Sequence, residues 1–159
     1  MEILLALTLP REALTVPVAR HIVRNAMEEV GVDAGCIHDV ELALSEACSN
    51  VLRHAGPGDE YDVHLDVTDE RCRIRVVDVG HGLDSVQRGR LAESRRPRAG
   101  PKAERGRGLA LMRAYVDRVR LASWAEVGTI VTLEKSLVYA DQALLGGPRR
   151  RLAATRKQV

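Results

Sequence analysis

The hydrophobic period of this chain changes from helical to alternating near residue 58, and that change constrains the fold more than any other feature. Before it, apolar residues recur at helical spacing over residues 35–55, at Ile37, Val40, Leu44, Ala47 and Val51. The sequence Gly-Pro-Gly-Asp at 56–59 ends this helix, and residues 61–67 and 72–76 then alternate apolar and polar. Such alternation is typical of half-buried strands, so the helix and strands together predict a sheet with helices packed on one face.

The remaining segments predict two more helices and three more strands. Residues 2–9 are an apolar run that ends at a proline, which indicates a strand. Pro17 suits the first turn of a helix whose buried face we place at Val18, Ile22, Ala26 and Val30. Gly106 begins a third helix, and residues 118–125 and 129–135 predict a closing hairpin. The expected fold class is α+β, a two-layer sandwich in which helices cover one face of a mostly antiparallel sheet.

Length and composition limit where such a chain can work. Its 159 residues favour one domain, which we place at residues 1–136, followed by a basic, flexible tail at 137–159. No apolar run is long enough to span a bilayer, and the N-terminus lacks a signal-peptide pattern. The three scattered cysteines, Cys36, Cys48 and Cys72, fit a reducing compartment. We therefore expect a cytoplasmic protein without a membrane partner.

Charge is distributed unevenly along the chain. Residues 88–107 contain eight Lys or Arg and two Glu, and residues 148–159 contain five Lys or Arg and no acid. Because the formal net charge is only +2, the rest of the chain is acidic. An acidic body does not suit a nucleic-acid surface, and the tail lacks interleaved aromatic residues. The arginine-rich segments are interpreted as solvated loop charge rather than as a nucleic-acid interface.

One face of the second predicted helix carries residues suited to phosphate chemistry. Glu46, Asn50 and His54 follow one another at intervals of four, so they lie on one side of the helix. An amide oxygen is a hard ligand for Mg²⁺, and a carboxylate can accept the proton of an attacking hydroxyl. The spacing alone is also compatible with ordinary polar positions on a helix.

Two glycine-containing segments add possible ligand contacts. Asp78 ends a predicted strand and is followed by Gly80 and Gly82, where backbone can approach a ligand and the carboxylate can accept from an amine. Gly106 and Gly108 stand at the start of a helix, where free amides favour an anion. A plain glycine turn and a hinge are the alternatives for these segments. Neither segment matches a P-loop or a dinucleotide fingerprint.

In this order and spacing the motifs resemble the GHKL, or Bergerat-fold, ATP-binding superfamily. Residues 46–54 resemble its N box, 78–82 its G1 box, 106–109 its G2 box, and 128–133 its terminal strand. The resemblance covers residues 2–135. Within the superfamily this short chain is similar to the anti-sigma factor serine/threonine kinases of bacterial partner-switching systems.

The resemblance implies a role for each motif residue. Glu46 would be the general base, Asn50 would bind Mg²⁺ and nucleotide, and Asp78 would receive the adenine amino group. Residues 83–105 would form a lid over ATP. The other nucleotide-binding positions that it implies are Gly80, Gly82, Arg105, Gly106, Arg107, Gly108, Leu109 and Thr129.

The resemblance also implies a function and partners. The chain would use ATP and Mg²⁺ as a protein kinase, hold a sigma factor inactive, and phosphorylate an anti-anti-sigma protein of the STAS type. A homodimer is expected. The alternative is a nucleotide-sensing regulator of the same fold that exchanges partners with little or no kinase activity. Retention of Glu46 favours the kinase, because a pure binding protein does not need a base.

Overall fold

The computed structural model describes residues 2–54, 59–78, 104–124 and 128–140. Within these residues the chain forms three helices and five strands. In chain order they are β1 (Ile3–Pro10), α1 (Thr15–Glu29), α2 (Ala34–His54), β2 (Glu60–Val67), β3 (Arg71–Asp78), α3 (Glu104–Tyr115), β4 (Arg118–Trp124) and β5 (Gly128–Ser136).

The five strands form one antiparallel sheet in the order β1-β2-β3-β5-β4. The α1–α2 pair connects the neighbours β1 and β2, and α3 lies in the connection between β3 and β4. The register pairs Tyr61 of β2 with Asp78 of β3, and Asp78 with Thr129 of β5. The predicted α+β sandwich with a mostly antiparallel sheet is therefore confirmed.

The sheet is buried on one face only. In β2 and β3 the buried residues alternate with partly exposed ones, as the sequence pattern predicts. The buried row of β3 consists of Cys72, Ile74, Val76 and Asp78. The other face carries charged side chains such as Arg73 and Glu134, whose Nε and Oε1 atoms form an ion pair at 3.1 Å. The helices therefore pack on the apolar face only.

The long helix α2 packs its predicted apolar face into the core. All five positions expected to be buried are buried, and they join the strands and the other helices in one cluster. The three cysteines are also buried, as free thiols. The helical period alone was enough to predict the orientation of α2.

The buried face of α1 differs from the prediction by one position. The buried residues of α1 are Thr15, Ala19, Val23 and Met27. Of the predicted face, Val30 after the helix is buried, Ile22 and Ala26 are partly buried, and Val18 is 48% exposed. The cause is the anchoring of Thr15, whose hydroxyl donates to the backbone oxygen of Glu12 at 2.7 Å and lies 2.9 Å from the Tyr61 hydroxyl. This contact turns the first turn of α1 inward at Thr15, so the stripe that follows at intervals of four is buried instead.

Residues 137–140 remain attached to the domain after β5 ends. The amide of Leu137 donates to Glu70 O at 2.9 Å, and the amide of Ala140 donates to Gly31 O at 3.0 Å. The rest of the predicted tail, residues 141–159, lies outside the described residues. In the part of the chain that is described, no helix combines the length and apolar character that crossing a membrane requires.

The core predicts a clear contrast between two leucine substitutions. Leu44 of α2 is completely buried, and Leu14, before α1, is 75% exposed. We expect Leu44→Ala to lower the free energy of unfolding by about 2–5 kcal/mol, since it removes buried methyl groups and leaves a cavity. Leu14→Ala should change it by less than about 0.5 kcal/mol. Urea unfolding checks both values, and equal losses would contradict the burial of α2.

Candidate active site

The structure brings Gly108 of α3 against Glu46 and Asn50 of α2. A Cβ atom added to Gly108 would lie 3.0 Å from Glu46 Oε2, 3.4 Å from Asn50 Oδ1 and 3.6 Å from Asn50 Nδ2. Two motifs separated by more than fifty residues therefore meet, and Gly108 is buried so closely against two polar groups that an added methyl group would press on them. A carboxylate and an amide oxygen side by side are groups that suit a metal ion bound to phosphate.

The residues after Gly108 hold α3 in place. Leu109 and Met112 are buried in the core, and Arg107 is exposed. Leu109, which the resemblance assigns to the nucleotide site, therefore contributes its side chain to the core. The helix begins at Glu104 rather than at Gly106, so Arg105 lies in its first turn and not in the preceding loop.

Asp78 lies at the end of the buried row of β3, with its side chain 7% exposed. Its strand neighbour on one side is Thr129, the predicted second adenine contact. On the other side is Tyr61, whose hydroxyl lies 2.9 Å from the Thr15 hydroxyl. Burial raises the pKa of Tyr61 and of Cys48 to about 12, so both groups stay neutral at physiological pH.

The structure also shows a contact that the sequence analysis missed. The guanidinium of Arg11, which follows β1, forms an ion pair with Asp78 Oδ1, and the Arg11 side chain is only 10% exposed. The alternation of β1 contained a signal for it. If the inward row Ile3, Leu5, Leu7 and Leu9 is continued by one step, it ends at Arg11.

The other predicted site residues fall outside what the structure describes. Gly80, Gly82 and the predicted lid up to residue 103 are not among the described residues. Arg105 and Gly106 are placed in α3 by their backbone. Their proposed contacts with nucleotide, like those of the other site residues, stay predictions.

A separate groove of about 620 Å³ lies between α1 and α2. Its lining includes Glu41, which is buried and hydrogen-bonded by Arg24 at 2.9 Å between Nε and Oε1. None of the residues predicted to bind nucleotide lines this groove. The nucleotide site between α2, α3 and the end of β3 stays a prediction.

Comparison with known proteins identifies the family. The family model described as histidine kinase-like ATPase domain matches residues 9–135. The chain belongs to this family. The match begins within β1 and ends within β5, so it includes every described strand and helix that contributes to the site.

Named relatives indicate the functional class within this family. The chain is 30% identical over 133 residues to serine-protein kinase RsbW of Bacillus licheniformis, covering 80% of this chain and 82% of that protein. It is 33% identical over 106 residues to the anti-sigma F factor of Pasteuria penetrans, covering 62% of this chain and 67% of that protein. These relatives confirm the predicted class, the anti-sigma serine/threonine kinases, and with it the use of ATP.

A solved structure supports the fold. The crystal structure of the RsbU and RsbW domains of a Mycobacterium tuberculosis protein matches with a TM-score of 0.64 and 24% identity. The match covers 85% of this chain and 32% of that longer chain. At this identity the likeness shows the shared fold.

The close approach of α3 to α2 predicts the effect of a methyl group at Gly108. Gly108→Ala should favour the helix by up to about 1 kcal/mol through propensity but push Glu46 and Asn50 from their positions. We expect unfolding stability to stay within about 1 kcal/mol of wild type, while ATP affinity falls at least about tenfold.

The matched control is Gly35→Ala, also in a helix, whose added Cβ would instead meet Asp33 Oδ1 at 3.1 Å. It should leave nucleotide affinity unchanged. Calorimetric titration with ATP compares the two variants. Equal ATP affinities for Gly108→Ala and wild type would show that nucleotide binding does not depend on the packing of Glu46 and Asn50 against Gly108.

Proposed function

We propose that this chain is an ATP-dependent serine/threonine protein kinase that acts as an anti-sigma factor. The observation that carries the proposal is the meeting of Glu46, Asn50 and Gly108 at one place. A carboxylate and an amide would supply a base and a metal ligand, and the first turn of α3 would supply phosphate contacts. These are the parts that phosphoryl transfer needs, since its catalysis rests on positioning and on charge stabilisation.

The residues present fit a magnesium ion. Mg²⁺ prefers oxygen ligands and keeps several waters, so one or two protein oxygens are enough to hold it with a nucleotide. Asn50 Oδ1, which lies beside Gly108, would be such a ligand. When bound, the ion supplies positive charge that neutralises the phosphates.

Glu46 would act on the hydroxyl of a protein substrate. Its Oε2 and the Asn50 amide both lie beside Gly108, one helical turn apart along α2. A serine hydroxyl that reaches this carboxylate can donate its proton to it as the serine oxygen attacks the terminal phosphorus. The bond from that phosphorus to the leaving oxygen of ADP breaks as the new one forms.

Asp78 and Thr129 would recognise the base. They are paired across β3 and β5, and both strands direct alternate residues toward the helices. A buried carboxylate that accepts from the adenine amino group discriminates strongly, because a base without the donor leaves it unsatisfied.

The partners follow from the class of the relatives. The chain would bind a sigma factor and release it on binding an anti-anti-sigma protein of the STAS type, whose phosphorylation would end the release. We place this exchange in the cytoplasm. We also propose a homodimer, supported by β1, an edge strand of the sheet whose Leu4 is 68% exposed. Light scattering on the purified protein measures its mass and tests the dimer directly.

Nucleotide binding should stabilise the folded chain. Because only the folded chain has the site, ATP with Mg²⁺ at 100 times its dissociation constant should add about 2.7 kcal/mol to the free energy of unfolding. Asn50→Ala should reduce the Mg²⁺-dependent part of this gain. Thermal unfolding with ATP, with and without Mg²⁺, measures both. A wild-type melting temperature that does not respond to millimolar ATP would contradict the proposal.

The role of Glu46 separates a kinase from a passive switch. Glu46→Gln keeps the size of the side chain but removes its basicity, so ATP should bind nearly as in wild type. Transfer to the partner serine should fall at least roughly 100-fold. Single-turnover transfer from radiolabelled ATP to a cognate anti-anti-sigma protein checks this.

Two results decide between the candidate functions. Equal transfer by wild type and Glu46→Gln would exclude Glu46 as the base. If wild type exchanges partners with nucleotide but transfers no phosphate, the chain is the nucleotide-sensing regulator instead.

A further inference from the structure

The ion pair between Arg11 and Asp78 is unexpected for a carboxylate that is to receive adenine. Both side chains are at most one tenth exposed, so the pair lies within the protein rather than on its surface. A buried charged carboxylate requires a partner, and removing that partner is strongly destabilising. The question is whether Arg11 competes with the base or prepares Asp78 to bind it.

The backbone of Arg11 is fixed at the end of the sheet. Its amide donates to Asp59 O at 2.8 Å, one residue beyond the last pair of β1 and β2, Pro10 with Glu60. Burial lowers the pKa of the guanidinium, and the charge of Asp59 opposes that change. Arginine nevertheless stays charged, so the pair with Asp78 is ionic.

The sheet register shows from which side Arg11 reaches Asp78. In the order β1-β2-β3-β5, Arg11 follows the strand two places to one side of Asp78. Thr129 is paired with Asp78 on the other side. The guanidinium contacts Oδ1, and a carboxylate has a second oxygen with its own acceptor sites.

We propose that Arg11 is a positioning residue for nucleobase recognition: it holds Oδ1 of Asp78 from the β1 side, so that Oδ2 can accept from the exocyclic amino group of adenine. The inference rests on the proposed function, in which Asp78 binds adenine. A guanidinium donor on Oδ1 limits the rotation of the carboxylate plane, because that oxygen stays turned toward β1. Arg11 thus acts through Asp78 and need not touch the nucleotide.

The test measures discrimination rather than affinity alone. ATP is compared with purine riboside triphosphate, which has the same phosphates and sugar but no 6-amino group. Because a hydrogen bond to a charged group is strong, wild type should prefer ATP by roughly 10- to 100-fold. Arg11→Met should reduce this preference to less than about threefold while the affinity for the analogue changes little.

Arg11→Lys keeps the charge and provides a test if the Met variant does not fold. An ammonium group is a point charge that does not fix the carboxylate plane, so the preference should fall several-fold below wild type. The matched control is Arg75→Met, an exposed arginine of β3, which should discriminate like wild type. Calorimetric titration with both nucleotides gives all the constants.

The titrations separate a failure of the Arg11 role from a failure of base recognition by Asp78. If wild type does not prefer ATP, Asp78 does not read the amino group and the proposed base recognition is wrong. If wild type prefers ATP and both Arg11 variants keep that preference, only the role of Arg11 is overturned. Tighter ATP binding by Arg11→Met would also overturn it, because Arg11 would then be a competitor of the base.

Discussion

The burial of α2 against one face of the sheet is the interaction on which the candidate site depends. The apolar stripe from Ile37 to Val51 is inserted between the strands and the other helices, so the rotation of α2 about its axis is fixed. Once that rotation is fixed, the side chains of Glu46 and Asn50 are directed toward α3 and lie beside Gly108. The hydrophobic effect thus orients groups that carry out polar chemistry, at the cost of leaving two polar side chains between packed helices.

The candidate site also depends on the position of α3, which Lys135 of β5 helps to fix. Its Nζ donates to Asp39 Oδ2 of α2 and to the backbone oxygen of Tyr115 at the end of α3, both at 2.8 Å. Burial alone would lower the pKa of Lys135, but the hydrogen bond and charge of Asp39 raise it overall, so the ammonium stays charged. One cation thereby ties two helices and a strand together. A positive charge at a helix C-terminus is favourable in itself.

The sequence was sufficient to predict the features that depend on a single hydrophobic period. The strands, their antiparallel order within each hairpin, and the buried face of α2 all follow from alternation or from helical spacing. The buried face of α1 did not follow, because the contact of Thr15 with Tyr61, 46 residues away in sequence, decides which side turns inward. The pairing of Arg11 with Asp78 was missed for a similar reason: a charged residue after a proline was taken to be outside the sheet. The approach of Gly108 to α2 was expected only through a resemblance, since no local pattern indicates which helix a glycine will meet.

The candidate site lies at the end of the sheet where the inward rows of the strands change from apolar to polar residues. Along β1, β2, β3 and β5 the inward positions are aliphatic until the same end of the sheet, apart from the neighbours Cys72 and Lys135 at the opposite end. There they become, in spatial order, Arg11, Tyr61, Asp78 and Thr129. Each of these polar residues costs burial energy that an aliphatic residue would not, so the end of the core is less stable than its middle. The ion pair of Arg11 with Asp78 and the hydrogen bond of Tyr61 with Thr15 offset part of that cost, and they do so by holding these polar groups in one orientation. A row that is ordered before the ligand arrives loses little conformational entropy on binding, which is the condition for recognising one base over another.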